Sequence, residues 1–157
     1  MKALVVYDSV YGNTEKIAEA IGKGLLGFEQ VKVFKVNEAD PQYLDEYGLV
    51  IVGSPTQAGR PLPSVQEFLA KIPSGGLKEV KVASFDTGMP KQGKGWFLKL
   101  VVKILGYAAP RIAKVLSEKG GKLIAEPQGF YVDDKEGPLL EGEEARATEW
   151  ATALPKE

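Results

Sequence analysis

The chain contains no cysteine and no histidine. The first absence excludes disulfides, thiolate nucleophiles and the common zinc sites. The second excludes imidazole acid–base chemistry. Redox chemistry on such a chain has to come from a bound cofactor. No apolar run reaches the length of a membrane span. The opening stretch Met1–Tyr7 is too short and too strand-like for a signal peptide, so a cytoplasmic location is expected. A net charge of −1 gives no global field toward nucleic acid, and none is expected as a partner.

The 157 residues are 44% apolar and 26% charged, which suits one globular domain over 1–157 with a core of its own. Short apolar runs alternate with helical periodicity. Leu4–Tyr7, Val31–Val36, Leu49–Val52, Val80–Phe85 and Lys122–Ala125 read as strands. Ile17, Ile21 and Leu25 mark one helical face, and Val65, Phe68, Leu69 and Ile72 mark another. Ser64 and Glu67 have the spacing of a capping box. A helix is expected near Pro110, and a final one carries Ala147, Trp150, Ala151 and Leu154. This alternation predicts an α/β fold, a parallel sheet covered on both faces.

The near-zero charge conceals an uneven distribution. From Thr87 to Ser117 there is no acid, but there are Lys91, Lys94, Lys99, Lys103, Arg111 and Lys114. Acids gather later, at Asp133, Asp134, Glu136, Glu141, Glu143, Glu144 and Glu149.

The turn Asp8–Glu15 joins the first strand to the first helix. In a parallel sheet it lies at the carboxyl edge, where ligands bind. A helix N-terminus offers free N–H groups and partial positive charge. Ser9 and Thr14 add hydroxyls, Asn13 an amide, and Gly12 a close backbone approach; Val10 and Tyr11 complete the turn. Together these groups suit a terminal phosphate without any cationic side chain. The plainer reading is a capped helix whose Ser, Asn and Thr serve only the backbone. No Gly-Lys-Ser/Thr and no G-x-G-x-x-G occurs, so neither a nucleoside-triphosphate loop nor a dinucleotide fold is supported.

The run Tyr7-Asp8-Ser9-Val10-Tyr11-Gly12-Asn13-Thr14-Glu15 resembles the phosphate loop of the flavodoxin family. Its aromatic before the glycine is similar to the loops of flavodiiron FMN modules and flavodoxin-like quinone reductases. The resemblance runs over nearly the whole chain, and is weakest for 89–109. It implies a flavodoxin-like three-layer α/β/α sandwich with a five-stranded parallel sheet of order 2-1-3-4-5, and FMN as the cofactor. Its first flavin loop maps onto Gly53–Pro61, giving Pro55, Thr56, Gln57, Ala58 and Gly59 as cofactor-binding candidates. A carbonyl of the Ala58-Gly59 peptide is expected to face the ring nitrogen N5. The second loop maps onto Asp86, Thr87 and Gly88. Many flavodoxins stack an aromatic from the first loop on the ring, and this chain has none there. Trp96 is the candidate cover, and Tyr107 a weaker one.

Two functions compete. One is an electron carrier serving protein redox partners. The other is an FMN-dependent NAD(P)H/quinone-type oxidoreductase taking a planar, quinone-like substrate over the open ring face. The apolar, cationic stretch 94–107 also admits a peripheral membrane contact. Its plainer readings are core helix or a homodimer contact. No metal site is expected.

Overall fold

Side chains alternate across a β-strand, so a strand buried on both faces needs apolar residues at every position. The computed structural model, which describes residues 1–90 and 106–156, shows this in the central strands. In β1 (Lys2–Tyr7) all residues after Lys2 are buried. In β3 (Leu49–Pro55) all but Pro55 are buried. Strand β2 (Gln30–Lys35) is only partly covered, as an edge strand is. β4 (Lys81–Gly88) lies on the other side of β3.

The parallel order is β2-β1-β3-β4-β5, as the resemblance implied. The fifth position is filled in two pieces. β5 (Lys122–Leu123) pairs with Lys81 and Val82, and β6 (Gln128–Tyr131) pairs with Phe85 to Gly88. Pro127 stands just before the second piece and has no N–H to give the ladder.

Among the described residues, two helices cover each face. α1 (Asn13–Gly24) and α4 (Glu143–Thr152) pack Ile17, Ile21, Ala147 and Ala151 on Val5, Ile51 and Phe85. α2 (Pro63–Ala70) and α3 (Ala108–Glu118) pack Val65, Phe68, Ile112 and Leu116 on Leu4, Val50 and Val82. α4 also reaches α1 through polar contacts. The hydroxyls of Thr148 and Thr152 donate to the carbonyls of Ala20 and Gly24, each at 3.0 Å. The Gly24 carbonyl lies at the end of α1, where helical partners run out, and that of Ala20 lies one turn earlier.

Two local expectations change. α2 starts at Pro63 with Leu62 as an N-cap lacking a side-chain bond, so no capping box forms. Ser64 instead donates its hydroxyl to Asp8. β4 runs to Gly88, past the expected end at Phe85, so Asp86 and Thr87 are strand residues facing opposite sides. No helix among the described residues is long and apolar enough to cross a membrane.

Candidate functional site

The carboxyl ends of β1, β3 and β4 meet at one cavity of about 480 Å3. Three chain segments build it. The first is the β1–α1 turn. Gly12 caps α1 with φ +93°, a left-handed conformation that costs glycine little. Lys16 N–H reaches the Gly12 carbonyl at 3.2 Å, starting the helical ladder. The N–H groups of Asn13, Thr14 and Glu15 therefore precede it and have no helical acceptor. The Ser9 hydroxyl accepts from Gly12 N–H at 3.1 Å and folds the turn. Asp8 accepts from Ser9 N–H at 2.8 Å and from Ser64, fastening the turn to α2. Below it, Tyr7 donates to Glu15 at 3.1 Å. Burial, aided by that carboxylate, pushes the Tyr7 phenol up to about 12.

The second segment follows β3. Gln57 and Arg60 exchange backbone hydrogen bonds at 2.9 Å around Ala58 and Gly59. Both central residues have positive φ, +49° and +77°, as a tight two-residue hairpin turn demands. Buried Ser54 secures this loop by accepting from Leu62 N–H at 2.9 Å. The third segment is the end of β4. The Thr87 hydroxyl shares a 2.7 Å hydrogen bond with that of Thr14, joining the first turn to the second loop.

Of the residues expected from the sequence, Ser9, Val10, Tyr11, Asn13, Thr14, Pro55, Thr56, Gln57, Ala58, Thr87 and Gly88 line this cavity. Val10 and Tyr11 form an exposed apolar rim, and Tyr11 is the aromatic among the described lining residues. Gly12 and Gly59 shape the walls through backbone rather than lining it. Trp96 lies outside the described residues.

Asp86 points elsewhere. It lines a second cavity of about 530 Å3 with Tyr107 and Tyr131. One carboxylate oxygen accepts from Ala109 N–H at 2.8 Å, and the other is buried with no partner among the described residues. Burial raises its pKa to about 7, against the opposing effect of the Ala109 N–H. Tyr107 lines that second cavity and not the first. Its hydroxyl donates to the Met89 carbonyl at 2.9 Å and braces the second loop from behind.

The sequence reading missed three lining residues, Met89, Val132 and Lys135. Lys135 corrects the expectation of a cavity without cations. It arrives because Asn13 donates to the Glu136 carbonyl at 3.1 Å, pinning the 135–137 loop beside the first turn.

Comparison with known proteins agrees with this fold. Residues 5–152 match the flavodoxin family. Over 89 residues the chain is 33% identical to probable flavodoxin 1 of Bacillus subtilis, covering 55% of this chain and 56% of that protein. The matches span 19% to 56% of the length of the curated relatives. Among solved structures, a flavodoxin from the domain Archaea superposes with a TM-score of 0.70 at 24% identity, covering 97% of this chain and 94% of that one. The flavodiiron protein of Giardia intestinalis gives 0.66 at 21% identity, covering 98% of this chain and 35% of that one. These two likenesses concern the fold, while the match over 5–152 concerns descent. The chain belongs to the flavodoxin family, whose cofactor is FMN.

Proposed function

We propose that this chain holds one FMN noncovalently in the 480 Å3 cavity and carries electrons between protein partners. The observation that carries this reading is the donor set gathered at the first turn. It comprises the leading N–H groups of α1, the hydroxyls of Ser9 and Thr14, and Lys135. Such a set fits a dianionic phosphate. A Cβ placed on Gly12 would meet nothing within 4 Å, so the turn leaves open space where a ligand can approach. The volume lies within the usual range of cofactor sites, about 300–1,000 Å3.

FMN, when bound, supplies the electron-accepting ring that no side chain here provides. The protein's part is to bind, orient and tune. The Thr14–Thr87 bond sets the first turn against the second loop, so phosphate and ring ends keep a fixed separation. The positive-φ turn at Ala58 and Gly59 offers a peptide carbonyl to the N5 edge of the ring. Tyr11 and Val10 give the ring an apolar border.

The test is a titration of the purified chain with FMN, followed by calorimetry and visible absorption. One FMN per chain is expected, with weaker binding of riboflavin, which lacks the phosphate. A colourless chain that takes up no FMN overturns the reading. Electron delivery to a protein acceptor supports the carrier. Steady NAD(P)H consumption with an added quinone would establish the reductase in its place.

A further inference from the structure

Between α2 and α3 the surface opens into a groove of about 430 Å3. Its floor includes Leu69 and Val115. Its rim carries Arg60, Arg111 and Lys114 against one acid, Glu118. Arg60 and Lys114 are exposed, and neither takes part in an ion pair among the described residues.

The groove adjoins the cofactor cavity. Arg60 closes the hairpin turn whose Ala58 lines that cavity. Ala108 N–H, at the start of α3, donates to the Thr56 hydroxyl of the same loop at 3.0 Å. The groove therefore begins where the exposed flavin loop ends. On the opposite flank the charge reverses, with exposed Asp133, Asp134, Glu136 and Glu141 around Lys135. In sequence, Lys91, Lys94, Lys99 and Lys103 precede α3 with no acid among them.

We propose that the α2–α3 groove docks the acidic surface of a protein redox partner, with Arg60 and Lys114 as its steering charges. This rests on the electron-carrier reading. A cationic rim on one side of the mouth and an acidic loop on the other orient an approaching acidic protein before contact. The apolar floor then offers surface to bury, as the centre of an interface does. Docking here brings the partner against the 57–60 turn, beside the ring.

The experiment uses the FMN-loaded full chain and two probes, an acidic plant-type ferredoxin and a basic c-type cytochrome. Backbone amide shifts locate binding, and stopped-flow mixing gives association rates. Ferredoxin should shift α2 and α3 amides. The double variant Arg60→Glu/Lys114→Glu should slow its association by about tenfold at low salt. The difference should close near about 0.5 M salt. Asp134→Lys/Glu141→Lys should cause no such loss. Lys114→Glu alone should bind FMN as the wild type does, which separates docking from folding.

Tighter binding of the cytochrome, or no effect of the reversal, would overturn the proposal. So would binding to phosphatidylcholine–phosphatidylglycerol vesicles while ferredoxin is ignored. Failure of the carrier reading is separable. It shows as absent FMN uptake, whereas the ferredoxin shifts are read on the flavin-free chain as well.

Discussion

Two cavities of similar size flank the end of β4, about 480 Å3 on one side and about 530 Å3 on the other, yet their furnishings differ. The first gathers hydroxyls, an amide, leading helix N–H groups and a lysine. The second is walled by prolines and tyrosines around one buried carboxyl, half of it unpartnered among the described residues. Adjacent residues of a single strand supply both, because Thr87 faces the first and Asp86 the second. Volume alone does not make an anion site. The kind and direction of the polar groups does.

The largest effect that separates the two belongs to Asp86. Its carboxyl is held near 7 by burial, above the ordinary carboxylate value. The folded chain thus binds the proton more tightly than the unfolded chain. The resulting stabilisation is complete below about pH 4 and is lost as pH rises through about 7. Asp86→Asn keeps an acceptor for Ala109 N–H and removes the charge. Urea unfolding should show the variant gaining on the wild type between about pH 4 and pH 8, by at most about 4 kcal/mol. FMN affinity should not change. A variant that loses FMN would break the comparison and merge the cavities into one site.

Next comes Thr14→Val, which removes a hydroxyl from the first cavity. A hydrogen bond to a charged group contributes about 1.5–3 kcal/mol, so the FMN dissociation constant should rise roughly tenfold to a hundredfold. Riboflavin binding should barely change. Equal losses for both ligands would mean that Thr14 only braces Thr87.

Gly59→Val tests the turn. A valine at φ +77° should cost about 1–2 kcal/mol, read as a lower Tm. The one-electron potentials of the bound flavin should shift as well, and unchanged potentials would remove the turn from the tuning of N5. The smallest effect is that of Lys135→Gln. Because the lysine is exposed, FMN should weaken about fivefold or less, and the change should fade in high salt. A larger, salt-independent loss would place that cation deeper in the site than its exposure suggests.

What the sequence disclosed follows the same division. The first turn is contiguous, so Ser9 to Thr14 could be read as a phosphate cradle directly from their order. The central strands were legible because both faces are buried and the apolar runs are unbroken. Lys135 was not legible. It reaches the cavity only through β6 and the Asn13–Glu136 contact, over a hundred residues from the turn it serves. β6 itself is only four residues long, starts after Pro127 and contains Gly129, and only Phe130 in it is fully buried. Asp86 was assigned to the flavin because β4 was expected to stop at Phe85. Once the strand continues, its alternation sends Asp86 and Thr87 to different cavities. The role of Tyr107 had no sequence signal, since its acceptor is a backbone carbonyl.

The hydroxyls of Thr148 and Thr152 have a consequence at the far end of α1. That helix is 12 residues long, so about 18 Å separates its tail from the turn proposed to meet the phosphate. Moored over its second half by two threonines of the last helix, it can neither slide nor pivot cheaply. On the proposed reading, grip on an anion is set partly by residues that never come near it, and loosening the mooring should blunt that grip while every group around the ligand stays intact.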